Sequence, residues 1–133
     1  MKADLVPSAE PESPDTRQFV VEVHTHRRTV LVAPRGELDR STVSEVIAVL
    51  DRLKPQADGV RHIVVDLRGL TFMDSSGLHE LVRQDHFARS NRHNLAVVRG
   101  TKAVQRVLEI SGVQDLLVLV DDPADLAPPT IAL

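Results

Sequence analysis

Between residues 19 and 120 the apolar residues change period repeatedly, and that alternation constrains the fold more than any other feature of the chain. Phe19-Val-Val-Glu-Val-His24 and Thr29-Val-Leu-Val32 are short β-branched runs joined by a polar stretch ending in Arg27-Arg28, the signature of a hairpin. Pro34 has no backbone donor, so the second strand should stop there or lie on an edge at that point. From Ser41 the spacing becomes three and four. Val43, Val46, Ile47, Leu50 and Leu53 share a face, Ser41 or Thr42 offers a cap and Pro55 lies beyond the end, which predicts an amphipathic helix. His62-Ile-Val-Val-Asp-Leu67, bounded by Gly59 and Gly69, reads as a strand buried on both faces. Leu78, Leu81 and Val82 predict a second helix reaching about Ser90, and Leu95–Val98 a strand stopping at Gly100. Thr101 caps a third helix that buries Val104, Val107 and Leu108 and ends at Gly112; Leu116–Val120 is a last strand. The expected order is β-β-α-β-α-β-α-β: an α/β domain with a mainly parallel sheet covered by helices through right-handed crossovers.

Proline and glycine mark the limits of this domain. Pro7, Pro11 and Pro14 precede it, Pro123, Pro128 and Pro129 follow it, and all six glycines lie between. Residues 1–18 carry net charge −2 and residues 121–133 net −3, which leaves 19–120 at +2 within a chain of −3. The expected organisation is a mobile, acidic, Pro-rich tail over 1–18, a folded domain over 19–120 and a second acidic, Pro-containing tail over 121–133. The chain has no Cys, Trp or Tyr, so disulfides, thiolate metal sites and cysteine nucleophiles are excluded. Three Phe and a net negative charge argue against direct nucleic-acid binding. No apolar run approaches the ~20 residues of a membrane span, so no membrane partner is expected and a cytoplasmic location is the default.

The most informative segment is Leu70-Thr-Phe-Met-Asp-Ser-Ser-Gly-Leu78, which follows the central strand and opens the second helix. Functional groups of parallel α/β sheets collect past the carboxyl ends of strands, beside helix N-termini. Ser75 and Ser76 fall where backbone N–H groups lack intrahelical partners. Two readings follow. Asp74 or Ser75 is an N-cap worth about 1 kcal/mol, or the serine hydroxyl is a phosphoacceptor at a place that tolerates an anion. Caps are common, so the segment by itself favours the first.

Gly36-Glu-Leu-Asp39, Phe72-Met-Asp-Ser-Ser-Gly-Leu78 and Ala103-Val…Val107-Leu-Glu-Ile-Ser-Gly-Val113 together resemble the bacterial anti-sigma factor antagonists of the STAS domain family, in order and over nearly all of 19–120. The resemblance implies a mixed, mostly parallel sheet with helices packed mainly on one face. It implies a binding module, not an enzyme, with no cofactor and no catalytic or metal-binding residues. The unphosphorylated form would bind an anti-sigma factor that is a serine kinase of the histidine-kinase-like ATPase superfamily and so release a sigma factor. Phosphorylation of the first serine of the pair, Ser75, would end that binding, and a metal-dependent serine phosphatase would reverse it. Asp39, Asp74, Ser76 and Gly77 would surround the phosphoacceptor, and Leu78, His79 and Arg83 would belong to the partner surface. The alternative is a STAS subunit of a larger assembly, a lipid transporter component or a stressosome-like scaffold, in which the serine motif is structural.

The chain departs from the family pattern at His79, where glycine is common, so a bulky ring stands near the phosphoacceptor. Other constellations fail. His79 and His86 are seven apart, about 10 Å along a helix and too far for one metal. Met73-Asp-Ser-Ser-Gly77 lacks the glycine a nucleophile elbow needs, and no phosphate loop is present. Arg83, Arg89, Arg92 and Arg99 read as a solvated face, with a basic docking patch as the functional alternative.

Overall fold

The computed structural model describes residues 18–53 and 62–125. Residues 1–17, 54–61 and 126–133, with the N-terminal tail, Pro55, Gly59 and most of the C-terminal tail, lie outside the described residues. The elements are β1 (Val20–His26), β2 (Thr29–Leu38), α1 (Val43–Arg52), β3 (His62–Asp66), β4 (Leu70–Met73), α2 (Ser75–Ser90), β5 (Asn94–Val98), α3 (Lys102–Ser111) and β6 (Leu119–Val120). Hydrogen-bonded neighbours run β1-β2-β3-β5-β6, with β4 added to β2; only the β1–β2 hairpin is antiparallel.

The β-branched runs form the strands the pattern predicts, and β2 continues further than expected. It passes through Pro34 because its neighbour changes there. Pairing with β3 ends at Val32↔Val65 and pairing with β4 begins at Gly36↔Leu70, so the missing donor falls between two ladders. Gly36 makes that changeover. Its φ of +111° suits glycine, its N–H donates to the Gly69 carbonyl at 3.1 Å, and the register shifts between Gly36 and Glu37.

All three helices bury their apolar stripes in one cluster on one face of the sheet. Val46 and Leu50 of α1, Leu78, Leu81 and Ala88 of α2, and Val104 and Leu108 of α3 meet Val30, Val32, Ile63, Val65, Leu67, Leu95 and Val97. The last seven are alternate residues of β2, the β3 strand and its exit, and β5, as the two-residue period requires. Leu31, Val64 and Ala96 align across the opposite face, outside that cluster.

Two expectations are corrected. The sequence pattern contains no strand over Leu70–Met73, yet these residues pair in parallel with β2. Leu70 and Met73 are buried while Thr71 and Phe72 are exposed, a three-residue spacing that hides the period of two. The expected last strand over Leu116–Val120 shortens to its final two residues. A 3-10 turn covers Val113–Asp115, Leu117 points into the core, and only Leu119 and Val120 pair with β5. Past β6, Pro123–Asp125 form another 3-10 turn.

Leu50 anchors α1 with 1% of its surface exposed. Leu50→Ala should destabilise the domain by about 2–5 kcal/mol, read as a lower urea midpoint at unchanged slope.

Candidate functional site

The pairing of β2 with β4 builds the site. Leu38 lies opposite Met73, and the Asp74 N–H donates to the Leu38 carbonyl at 3.1 Å. Asp39 and Asp74 therefore leave adjacent parallel strands side by side, where strands run about 4.8 Å apart. Each then starts a helix, and two helix N-termini open at the same end of the sheet.

Asp74 is the N-cap of α2. Its extended backbone turns the chain, and Oδ1 accepts from the Ser76 N–H at 2.8 Å. Ser75 is the first helical residue; it is exposed, and its hydroxyl has no hydrogen-bond partner among the described residues. Ser76 is half-buried. Gly77 is buried because the first turn of α2 lies directly on the Leu38–Met73 pair. A Cβ at this position would come within 2.8 Å of Leu38 Cγ and Cδ2 and of Met73 Cγ.

Asp39 supplies the start of α1, a role the sequence reading gives to Ser41 or Thr42. Thr42 stands at the N-cap position but its side chain caps nothing; its hydroxyl donates to the Glu37 carbonyl at 2.7 Å. Asp39 Oδ1 instead accepts from the Ser41 hydroxyl at 2.7 Å, the Ser41 amide at 2.9 Å and the Thr42 amide at 3.2 Å. The Asp39 carbonyl accepts from the Val43 amide at 2.8 Å. The Ser41 hydroxyl does most to hold this carboxyl below its ordinary range; slight desolvation works against it, and the Ser41 amide and the Thr42 hydroxyl and amide add to the lowering.

The residues expected on a partner surface divide. His79 and Arg83 are exposed on α2. Leu78 is corrected: it is 7% exposed and belongs to the core, because it falls on the sheet-facing side of the helix. Arg83 is fixed by a forked contact to Glu80, with Nε to Oε1 at 3.1 Å and Nη2 to Oε2 at 3.2 Å. Glu80 is itself buried and accepts from Gln84 Nε2 at 2.6 Å. Glu80 and Gln84 are absent from the sequence reading, although the spacings to Arg83 and Gln84 of three and four residues carry the signal. Arg89 pairs with Asp85 at 2.8 Å and Arg99 approaches Asp121 at 3.6 Å, so three of the four arginines, with Arg83, stand beside a carboxylate. Among the described residues no three His, Asp or Glu side chains converge to hold a metal ion, and no helix is long and apolar enough to cross a membrane.

The chain matches the family model for the STAS domain over residues 20–126. It is 31% identical over 102 residues to the anti-sigma F factor antagonist of Paenibacillus polymyxa, covering 77% of this chain and 86% of that one. Its fold is similar to that of the anti-sigma factor antagonist SpoIIAA in its unphosphorylated form, with a TM-score of 0.69 and 20% identity over 87% of this chain and 98% of that one. The phosphorylated form of the Bacillus cell fate determinant SpoIIAA matches with a TM-score of 0.62 and 22% identity, over 82% of this chain and 96% of that one.

Two outcomes test this geometry. Gly77→Ala should cost about 1–3 kcal/mol in urea unfolding, because the added methyl has no space against Leu38 and Met73. Because the folded-state pKa of Asp39 is depressed, its contribution is fully present above the unfolded value of about 3.9 and is lost as pH falls below it. Thermal unfolding between pH 2.5 and 6 should therefore show a shallower acid limb for Asp39→Asn than for wild type.

Proposed function

The chain belongs to the STAS domain family, among the anti-sigma factor antagonists, and from that premise we propose that it is a partner switch set by phosphorylation of Ser75. In the unmodified state it binds, in the cytoplasm, an anti-sigma factor that is also a serine kinase of the histidine-kinase-like ATPase superfamily, and a sigma factor is freed. The kinase transfers a phosphoryl group to the Ser75 hydroxyl and the complex dissociates. A metal-dependent serine phosphatase restores the binding form. The protein acts as ligand and substrate, not as an enzyme.

The observation that carries this reading is the Ser75 hydroxyl itself, exposed and without a hydrogen-bond partner among the described residues, at the first position of α2. A kinase reaches such a group without unfolding anything. Phosphorylation adds about −1.5 to −2 charges. The helix N-terminus offsets roughly 0.3–1 kcal/mol of that cost within the domain, while Asp39 and Asp74 oppose it. The fold therefore persists and the surface at Ser75 becomes strongly negative. Desolvating that charge against a partner costs on the order of 2–5 kcal/mol, which weakens binding by roughly 30- to several-thousand-fold.

Incubation with the anti-sigma kinases of the source organism and ATP, followed by mass spectrometry, should place the phosphate on Ser75. Phosphate on Ser76 alone, or none, would leave the motif a helix cap. By calorimetry Ser75→Ala should retain kinase binding and Ser75→Asp should lose most of it; equal affinities would refute the charge mechanism.

A further inference from the structure

We propose that His79 is the internal counter-ion of phosphorylated Ser75, an imidazolium one helical turn along that holds the phosphate and makes the stability of the modified state depend on pH. The proposal rests on the reading of Ser75 as phosphoacceptor and adds to it a residue and a condition that control the phosphorylated form.

Ser75 is the first residue of α2 and His79 the fifth. Residues four apart stack on one helical face with Cβ atoms about 5–6 Å apart, within reach of a serine phosphate and an imidazole ring. Both residues are exposed, and the His79 ring makes no hydrogen bond or ion pair among the described residues, so no existing contact must break. The backbone of this turn is held in place, because Gly77 and Leu78 press it onto the sheet.

The neighbouring charges leave the pH-dependent part of this role to His79. On α2, Asp74 repels the phosphate and its carboxylate is turned to the Ser76 amide. Arg83 lies two turns from Ser75 and its guanidinium is held by Glu80, with Asp51 of α1 contributing a further attraction. On the turn between β2 and α1, Asp39 is committed to Ser41 and Thr42. Arg40 is exposed on the same turn, and its attraction does not change with pH in the neutral range. The second ionisation of the phosphate falls in the same range, so it is the comparison with His79→Gln at each pH that isolates the imidazole. Free imidazole titrates near pH 6.5 and phosphoserine near pH 6. A cation that gains a partner on folding contributes stability that is present at low pH and lost as pH rises through its folded value. The pair weakens as pH rises, because only a protonated ring attracts the phosphate.

The test installs phosphoserine at position 75 by genetic code expansion, which requires no kinase, in the full chain carrying His79, His79→Gln or His79→Lys. Thermal unfolding of each phosphorylated protein is compared with its unmodified counterpart at pH 6.5 and 8.5. With His79, phosphorylation should be better tolerated at pH 6.5 than in His79→Gln by about 2–5 °C, and the two should agree within about 1 °C at pH 8.5. His79→Lys should keep the advantage at both values. The 31P midpoint of the phosphoserine should be lower with His79 than with Gln. Equal melting shifts and equal 31P midpoints for His79 and His79→Gln would overturn the proposal. Failure of the phosphoacceptor reading is registered separately, by the absence of phosphate on Ser75 after kinase treatment.

Discussion

The site depends on the contact between the first turn of α2 and the Leu38–Met73 pair, where β2 and β4 run side by side. Gly77 allows it: no side chain fits between the helix and those two core residues. The contact fixes the height and direction of α2, and with them the direction in which Ser75 points. It exists only because β2 exchanges one parallel neighbour for another. Pro34 and Gly36 fall at that exchange, the first lacking a donor where no ladder needs one, the second supplying a φ that other residues avoid.

The same pairing sets the electrostatics. Parallel strands bring Asp39 and Asp74 to one edge, and both carboxylates turn inward to satisfy helix starts, Asp39 on Ser41 and Thr42 and Asp74 on Ser76. Their negative charge remains close to Ser75, so the unmodified surface is already biased against a second anion. A phosphate added there would have the N-terminus of α2 in its favour and the carboxylates of Asp39 and Asp74 against it. In the switch proposed above, such a balance would leave the fold intact and change what the surface can face, with no moving part required.

Much of this was legible without coordinates. The short β-branched runs gave β1, β2, β3 and β5, because burial on a sheet selects those residues at that spacing. Three-and-four spacing gave the helices, with Thr101 capping α3 through a 3.4 Å contact to the Val104 amide and Gly112 at its end. The Asp-Ser-Ser-Gly segment marked a helix start. What escaped has local causes. Strand β4 is four residues long with its buried positions three apart, so it imitates a helical period. Leu116–Val120 looks like a strand by composition, but the core draws in Leu117 and leaves Leu116 and Val118 about half exposed. Leu78 sits one residue from a serine motif and reads as surface, yet the helix phase turns it inward.

The sequence alone determined the α/β class, the helix that begins at the serine pair and the family to which the chain belongs, because periodicity, caps and short motifs are encoded by residues near one another. Only the tertiary structure decided that Asp39 starts α1 in place of Ser41 or Thr42, that Asp39 stands beside Asp74 and that Gly77 is enclosed by Leu38 and Met73. Two of these relations, Asp39 with Asp74 and Gly77 with Leu38, join residues more than thirty positions apart. Their registry is set by strand pairing and side-chain volume, and neither is visible until the chain has folded back on itself.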